Sequence, residues 1–141
     1  MFNKWHDWLD MTKFDKDWHL NDLADELAEY HAEKHILKKW SELSDLVYTC
    51  TRGRWSGYDI IFPFKKSQFL LGALYMFPKY TSRWLFYRSA GRRAGADHDL
   101  HEVRNPKKTE KLHQIANRHN LNDKQFQQIC ERQLMYWILL P

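Results

Sequence analysis

The sequence predicts a mainly α-helical chain. Three observations carry that expectation: an apolar stripe at helical spacing from Leu20 to Val47, helix-starting and helix-ending residues set between apolar runs, and the stretch LHQIANRHNLNDKQFQQI, which reads as helix, turn and helix. A length of 141 residues suits one compact domain over residues 1–141, a single bundle of five or six helices.

Asn21 is a good N-cap, and Asp22, Asp25 and Glu26 follow it where acids favour the positive end of a helix dipole. Leu20, Leu23, Leu27, Tyr30, Leu37, Trp40, Leu43 and Val47 recur at threes and fours, so one long first helix is expected, ending near Arg52-Gly53. RWSGYDIIFPF, Arg54 to Phe64, holds Gly57 and Pro63 around a short β-branched and aromatic run and is expected as a loop. Ser67 can cap a helix through Phe69, Leu70, Ala73 and Leu74 that Pro78 stops or kinks. A further helix runs from Lys79 to about Ala90, with Gly91 where a left-handed C-terminal residue is wanted. GRRAGADHDLHE, Gly91 to Glu102, lacks apolar periodicity and is expected to be a mobile loop, after which Asn105-Pro106 starts the next helix. The apolar end QLMYWILL, Gln133 to Leu140, is expected to pack with the first helix around Phe69 to Phe86.

Within the opening stretch, Ala116 is a small residue where two helices would cross, with Ile115 beside it. Asn120 tolerates a left-handed turn, Leu121 is an apolar turn residue, and Phe126 and Ile129 close the pair. Residues 112–129 resemble the helix-turn-helix DNA-binding motif, with Asn120 standing where Gly is usual. The resemblance implies that Asn122, Asp123, Lys124, Gln127, Gln128 and Glu131 form a base-reading face, on which Gln127 and Gln128 could pair with adenine while Asp123 and Glu131 oppose phosphates. The buried positions specify only a steep helix pair, which serves a structural hairpin equally well.

Charge is uneven. Residues 1–46 hold 6 Lys/Arg against 11 Asp/Glu, giving −5, whereas residues 47–141 hold 16 against 7, giving +9. A field of that second sign attracts phosphate polyanions. The basic-aromatic set comprises Arg52, Arg54 and Trp55; Lys65 and Lys66; Lys79, Tyr80, Arg83 and Trp84; Arg88, Arg92 and Arg93; then Arg104, Lys107, Lys108 and Lys111. Arg and Lys would neutralise phosphates, and exposed Trp or Tyr would stack on unpaired bases. The acidic part could be a solvated surface, a docking site for a basic partner, or an intramolecular mask.

His31 and His35 in HAEKH, and His98 and His101 with three carboxylates in DHDLHE, have metal-ligating residue types, but HxxxH lacks the adjacent Glu of HExxH, no Cys flanks either set and nothing brings the two together, so surface histidines are the expectation. Cys50 and Cys130 form no CxxC pattern and are expected reduced and buried. No Gly-rich phosphate loop or GxSxG occurs. The N-terminus lacks signal-peptide organisation, and the longest apolar run, FLLGALYMF, is far short of the roughly 20 residues of a membrane span.

The sequence thus points to a small non-enzymatic, cytoplasmic protein without cofactor, metal or membrane partner. Its expected partner is nucleic acid, DNA or RNA, or a nucleoprotein. The expected contact residues are Arg52, Arg54, Lys79, Arg83, Arg88, Arg92, Arg93, Arg104, Lys107, Lys108 and Lys111, with Lys124, Gln127 and Gln128 from the second motif helix. The alternative is a protein-interaction module or inhibitor, of the charge-polarised kind found among viral and mobile-element proteins, that docks on a protein which itself handles nucleic acid.

Overall fold

A computed structural model describes residues 1–138 and shows a mainly α fold of six helices, with no strand among the described residues. The chain divides into two compact units, Met1–Pro78 and Lys79–Pro141.

In the first unit, the long helix expected from Asn21 is two helices, α2 (Lys16–Ala32) and α3 (Ile36–Trp55), preceded by a short α1 (Phe2–Leu9) that the sequence did not announce. Asp15, rather than Asn21, caps α2, its carboxylate accepting the Trp18 N–H at 2.8 Å. The break falls at Glu33, whose backbone turns extended and whose carboxylate accepts the N–H groups of Lys34 and His35 at 2.9 and 2.8 Å. Those bonds replace helical ones, so α3 folds back along α2; of the expected stripe Leu43 and Val47 are buried, while Leu20, Leu37 and Trp40 stay exposed. The Thr49 hydroxyl then donates to Asp22 across the pair at 2.8 Å. α3 ends at Trp55, near the expected Arg52-Gly53, and Gly53 lies beneath Ile60: a Cβ at Gly53 would stand 2.5 Å from Ile60 Cγ1. Leu9, Leu43, Leu46, Val47, Cys50, Ile60 and Met76 form the buried apolar centre.

Two helices were expected on either side of Pro78; α4 (Lys66–Arg93) is instead continuous through it. Pro78 and Leu74, the two residues whose backbone bond is lost, are both exposed, so the loss falls on the solvent side of the helix. Gly91 is likewise not a terminator. It is buried inside α4 and lies against Leu100, whose Cγ would be 2.5 Å from an added Cβ; the left-handed glycine is Gly95, at φ 77°.

The second unit closes around Phe86, Tyr87, Ala90, Leu100, Leu112, Ile115, Ala116, Phe126 and Cys130. The segment expected to be a mobile loop is tied in by burial of Leu100 and Glu102 and by Asp99, which bonds Arg92 at 3.1 Å. Asn105 accepts the Lys107 N–H at 3.0 Å in a turn, so α5 (Thr109–Arg118) starts three residues after Pro106. Asn120 takes φ 54°, the Leu121 N–H bonds Ala116 O at 2.9 Å, and Asn122 caps α6 (Asp123–Tyr136) by accepting the Gln125 N–H at 3.0 Å. The apolar end is not buried as expected: Met135, Tyr136 and Ile138 are exposed, while Leu139 and Leu140 lie outside the described residues. Gln133 and Trp137 hold this end to α4, through a 2.8 Å bond to Phe86 O and a 3.0 Å bond to Ser82 Oγ. Among the described residues no helix is long and apolar enough to cross a membrane.

Candidate nucleic-acid interface

The last turns of α4 carry Trp84, Leu85, Arg88, Ser89, Arg92 and Arg93, and with Trp137 these line an open groove of about 590 Å³ in the second unit. Residues 85, 88, 89 and 92 stand three and four apart and so share a helix face. Two internal contacts fix its cations. The Arg88 guanidinium lies 4.3 Å from the centre of the Trp84 ring and pairs with Asp99, and the same carboxylate accepts Arg92 Nε at 3.1 Å. The hydrogen bond from Arg92, with the Arg88 charge, holds the Asp99 carboxyl below its ordinary range. One carboxylate is thus set against three guanidiniums, of which Arg92 and Arg93 reach furthest into water. Both lie in the final turn, where the helix dipole favours cations.

The tryptophans differ in what they can offer. Trp84 is buried beneath Arg88, whereas Trp137 is half-buried, stacked edge-on to Phe86 with its indole N–H already bonded to Ser82. Its remaining face is apolar.

The other residues expected to contact nucleic acid scatter. Arg52 is buried in the first unit: Nη2 donates to Thr12 O at 2.7 Å, and the guanidinium stands 5.1 Å from both the Phe14 and Trp18 rings. Burial and the Arg52 charge together lower the pKa of neighbouring His6 to about 3 and that of His19 below its ordinary value. Lys79 and Arg83 are buried too, their charged ends 5.7 and 5.5 Å from the centre of the Tyr80 ring. These three cations have little surface to give a phosphate. Arg54 is exposed but donates Nε to Ile60 O at 2.8 Å, and the Trp55 indole is committed to Asp7 at 2.7 Å. Lys107 and Lys108 are exposed ahead of α5, and Arg104 and Lys111 are half-buried.

On α6, Lys124 and Gln128 are exposed, but Gln127 Nε2 donates to Asp123 at 2.9 Å and the Asn122 side chain is occupied as a cap. Half of the supposed reading face is therefore used in holding its own helix. Asp123 also accepts from His113 at 2.8 Å, and that bond holds its carboxyl below the ordinary range.

Neither histidine pair assembles. The break in α2–α3 separates His31 from His35, leaving His31 beside Phe64. His98 meets His119 at 2.9 Å rather than His101, and His101 faces Trp84. Among the described residues the group with ligand atoms close enough to surround an ion is Glu26, Glu29 and Glu42, between α2 and α3. Burial, reinforced by Asp45, Asp22, Glu29 and Glu42, pushes Glu26 up to about 8. Both cysteines are free and buried, and burial raises Cys50 to about 11 and Cys130 to about 12, so neither presents a thiolate.

Sequence reasoning named the arginines of the groove but missed Asp99 and Trp137, which complete it. Asp99 lay in a string of metal-ligating types, and Trp137 in an apolar tail; no local spacing ties either to α4. Compared with known proteins, the chain matches no family model, and no curated protein and no solved structure resembles it at a significant level.

Proposed function

We propose that this chain is a small non-enzymatic, cytoplasmic protein that binds nucleic acid, or a nucleoprotein, through the groove at the end of α4. The observation that carries the reading is the gathering of Arg88, Arg92 and Arg93 beside Trp137. Arg92 and Arg93 neutralise phosphates, Arg88 is held by Trp84 and Asp99 as the fixed wall, and the free face of Trp137 supports a base or sugar. Exposed Lys107 and Lys108 extend the positive field, and Lys124 and Gln128 are the α6 residues with side chains to spare. Two buried, protonated thiols suit a reducing compartment.

The test is fluorescence anisotropy with labelled random duplex and single-stranded DNA and RNA at two salt concentrations. Arg92→Ala/Arg93→Ala should weaken binding about tenfold or more, since each lost phosphate contact removes part of the counterion-release term. Binding that is unchanged by the double substitution, or indifferent to salt, overturns the reading.

A second reading, a module that docks on a protein, is favoured by the carboxylates crowded between α2 and α3, where burial and neighbouring negative charge raise Glu26 and a basic partner would offset that charge. Capture of a partner that survives nuclease treatment and is lost in Glu26→Gln/Glu29→Gln would select it.

A further inference from the structure

We propose that the exposed face formed by the start of α3 and the first half of α4 is a self-association surface, on which a second copy of this chain seats the same face. Ile36, Leu37 and Trp40 on α3, and Leu70, Leu71 and Leu74 on α4, leave between 36% and 80% of their surface in water. Each trio has the same one-and-four spacing, so each occupies one side of its helix. Trp40 joins them: its indole N–H donates to Leu71 O at 2.8 Å, and its ring lies 5.1 Å from that of Tyr75. The only polar atom of the indole is thereby satisfied within the chain, and what Trp40 offers outward is apolar.

The area and chemistry of the face indicate the occupant. The six side chains leave roughly 700 Å² of apolar surface in water, more than the few hundred Å² of a typical soluble monomer and close to the ~800 Å² that each partner contributes to a stable interface. From Ser67 to Pro78 α4 has no charged residue, Lys39 of α3 is drawn 4.8 Å over the Tyr30 ring of α2, and the exposed Lys66 and Lys38 stand one turn before Leu70 and beside Leu37. An apolar centre with its cations at the edge does not fit nucleic acid, whereas charge depletion marks the centre of protein interfaces. A two-fold pairing requires one patch complementary to itself, and two adjoining rows of large apolar side chains meet that condition by interdigitating as four packed helices.

The experiment is sedimentation equilibrium of the full chain from about 1 µM to about 1 mM, a range that spans the affinities such an area supports. The expected result is a concentration-dependent species of twice 17.2 kDa, and a tenfold or greater weakening of association in Leu74→Glu and, separately, in Leu37→Glu. Both positions are exposed, so circular dichroism should show unchanged helix content. A 17.2 kDa monomer at every concentration overturns the proposal, as does a dimer that neither substitution weakens. So does a monomer that co-sediments with phosphatidylcholine–phosphatidylserine vesicles and loses this in Leu74→Glu, since the face would then belong to lipid.

Discussion

Glu26 lies between α2 and α3 with Asp22, Glu29, Glu42 and Asp45 as neighbours, and burial together with their charges pushes it up to about 8. The folded chain therefore holds a proton at Glu26 that the unfolded chain releases above 4.5. Between pH 4.5 and 8 the folded state binds more protons than the unfolded one, so this residue's contribution to stability is complete below 4.5 and is lost as pH rises toward 8. Glu26→Gln keeps the shape and removes the titration. Its melting temperature, relative to the parent, should rise progressively from pH 4.5 to pH 8 and level off above. A difference that stays constant across that range would show that the carboxyl is ionised throughout.

At the scale of elements, Gly91 shows how a correct residue type can be assigned the wrong duty. A helix ending at glycine is common, and Gly91 follows an apolar run; its actual role is to let α4 pass against Leu100. Gly91→Ala would gain up to ~1 kcal/mol in helix propensity, but it forces Leu100 Cγ from a site with no free surface, at about 1–3 kcal/mol. The net expectation is a lower melting temperature by a few degrees, read by thermal denaturation; an unchanged or higher one would show that Leu100 yields freely. The same limit explains what else could be read from the sequence. Helical periodicity revealed the helical class and the apolar stripe, but that stripe stays in phase across Tyr30 and Leu37, so it could not reveal the break made by Glu33 turning onto its own following N–H groups. Pro78 is a local stop signal overruled by burial of Met76 and Tyr80 on either side. Of the candidate site, Arg88, Arg92 and Arg93 were legible because one helix face needs only local spacing. Asp99 and Trp137, which reach them across the fold, left no local pattern, and Arg52, Lys79 and Arg83 could not be told from surface cations by type alone.

For the molecule as a whole, the decisive quantity is how many of the cations behind the +9 of residues 47–141 act at the surface. Counterion release makes that number measurable, because the logarithm of affinity falls against the logarithm of salt by about 0.9 for each phosphate neutralised on duplex DNA. On the proposed reading, Arg92 and Arg93 each contact a phosphate, so removing both should lower the magnitude of that slope by about two and weaken binding to all sequences alike. Arg83 provides the contrast: it carries the same charge but is buried beside Tyr80, so Arg83→Met should leave the salt slope of the folded protein intact. Titrations of labelled duplex at four or more salt concentrations, with parent, Arg92→Ala/Arg93→Ala and Arg83→Met, separate the two cases. Equal slopes for the parent and the double variant would mean that the positive field attracts nucleic acid without the groove touching it. A slope lowered as much by Arg83→Met would mean that the charge of the unit, rather than the placement of its arginines, sets the interaction.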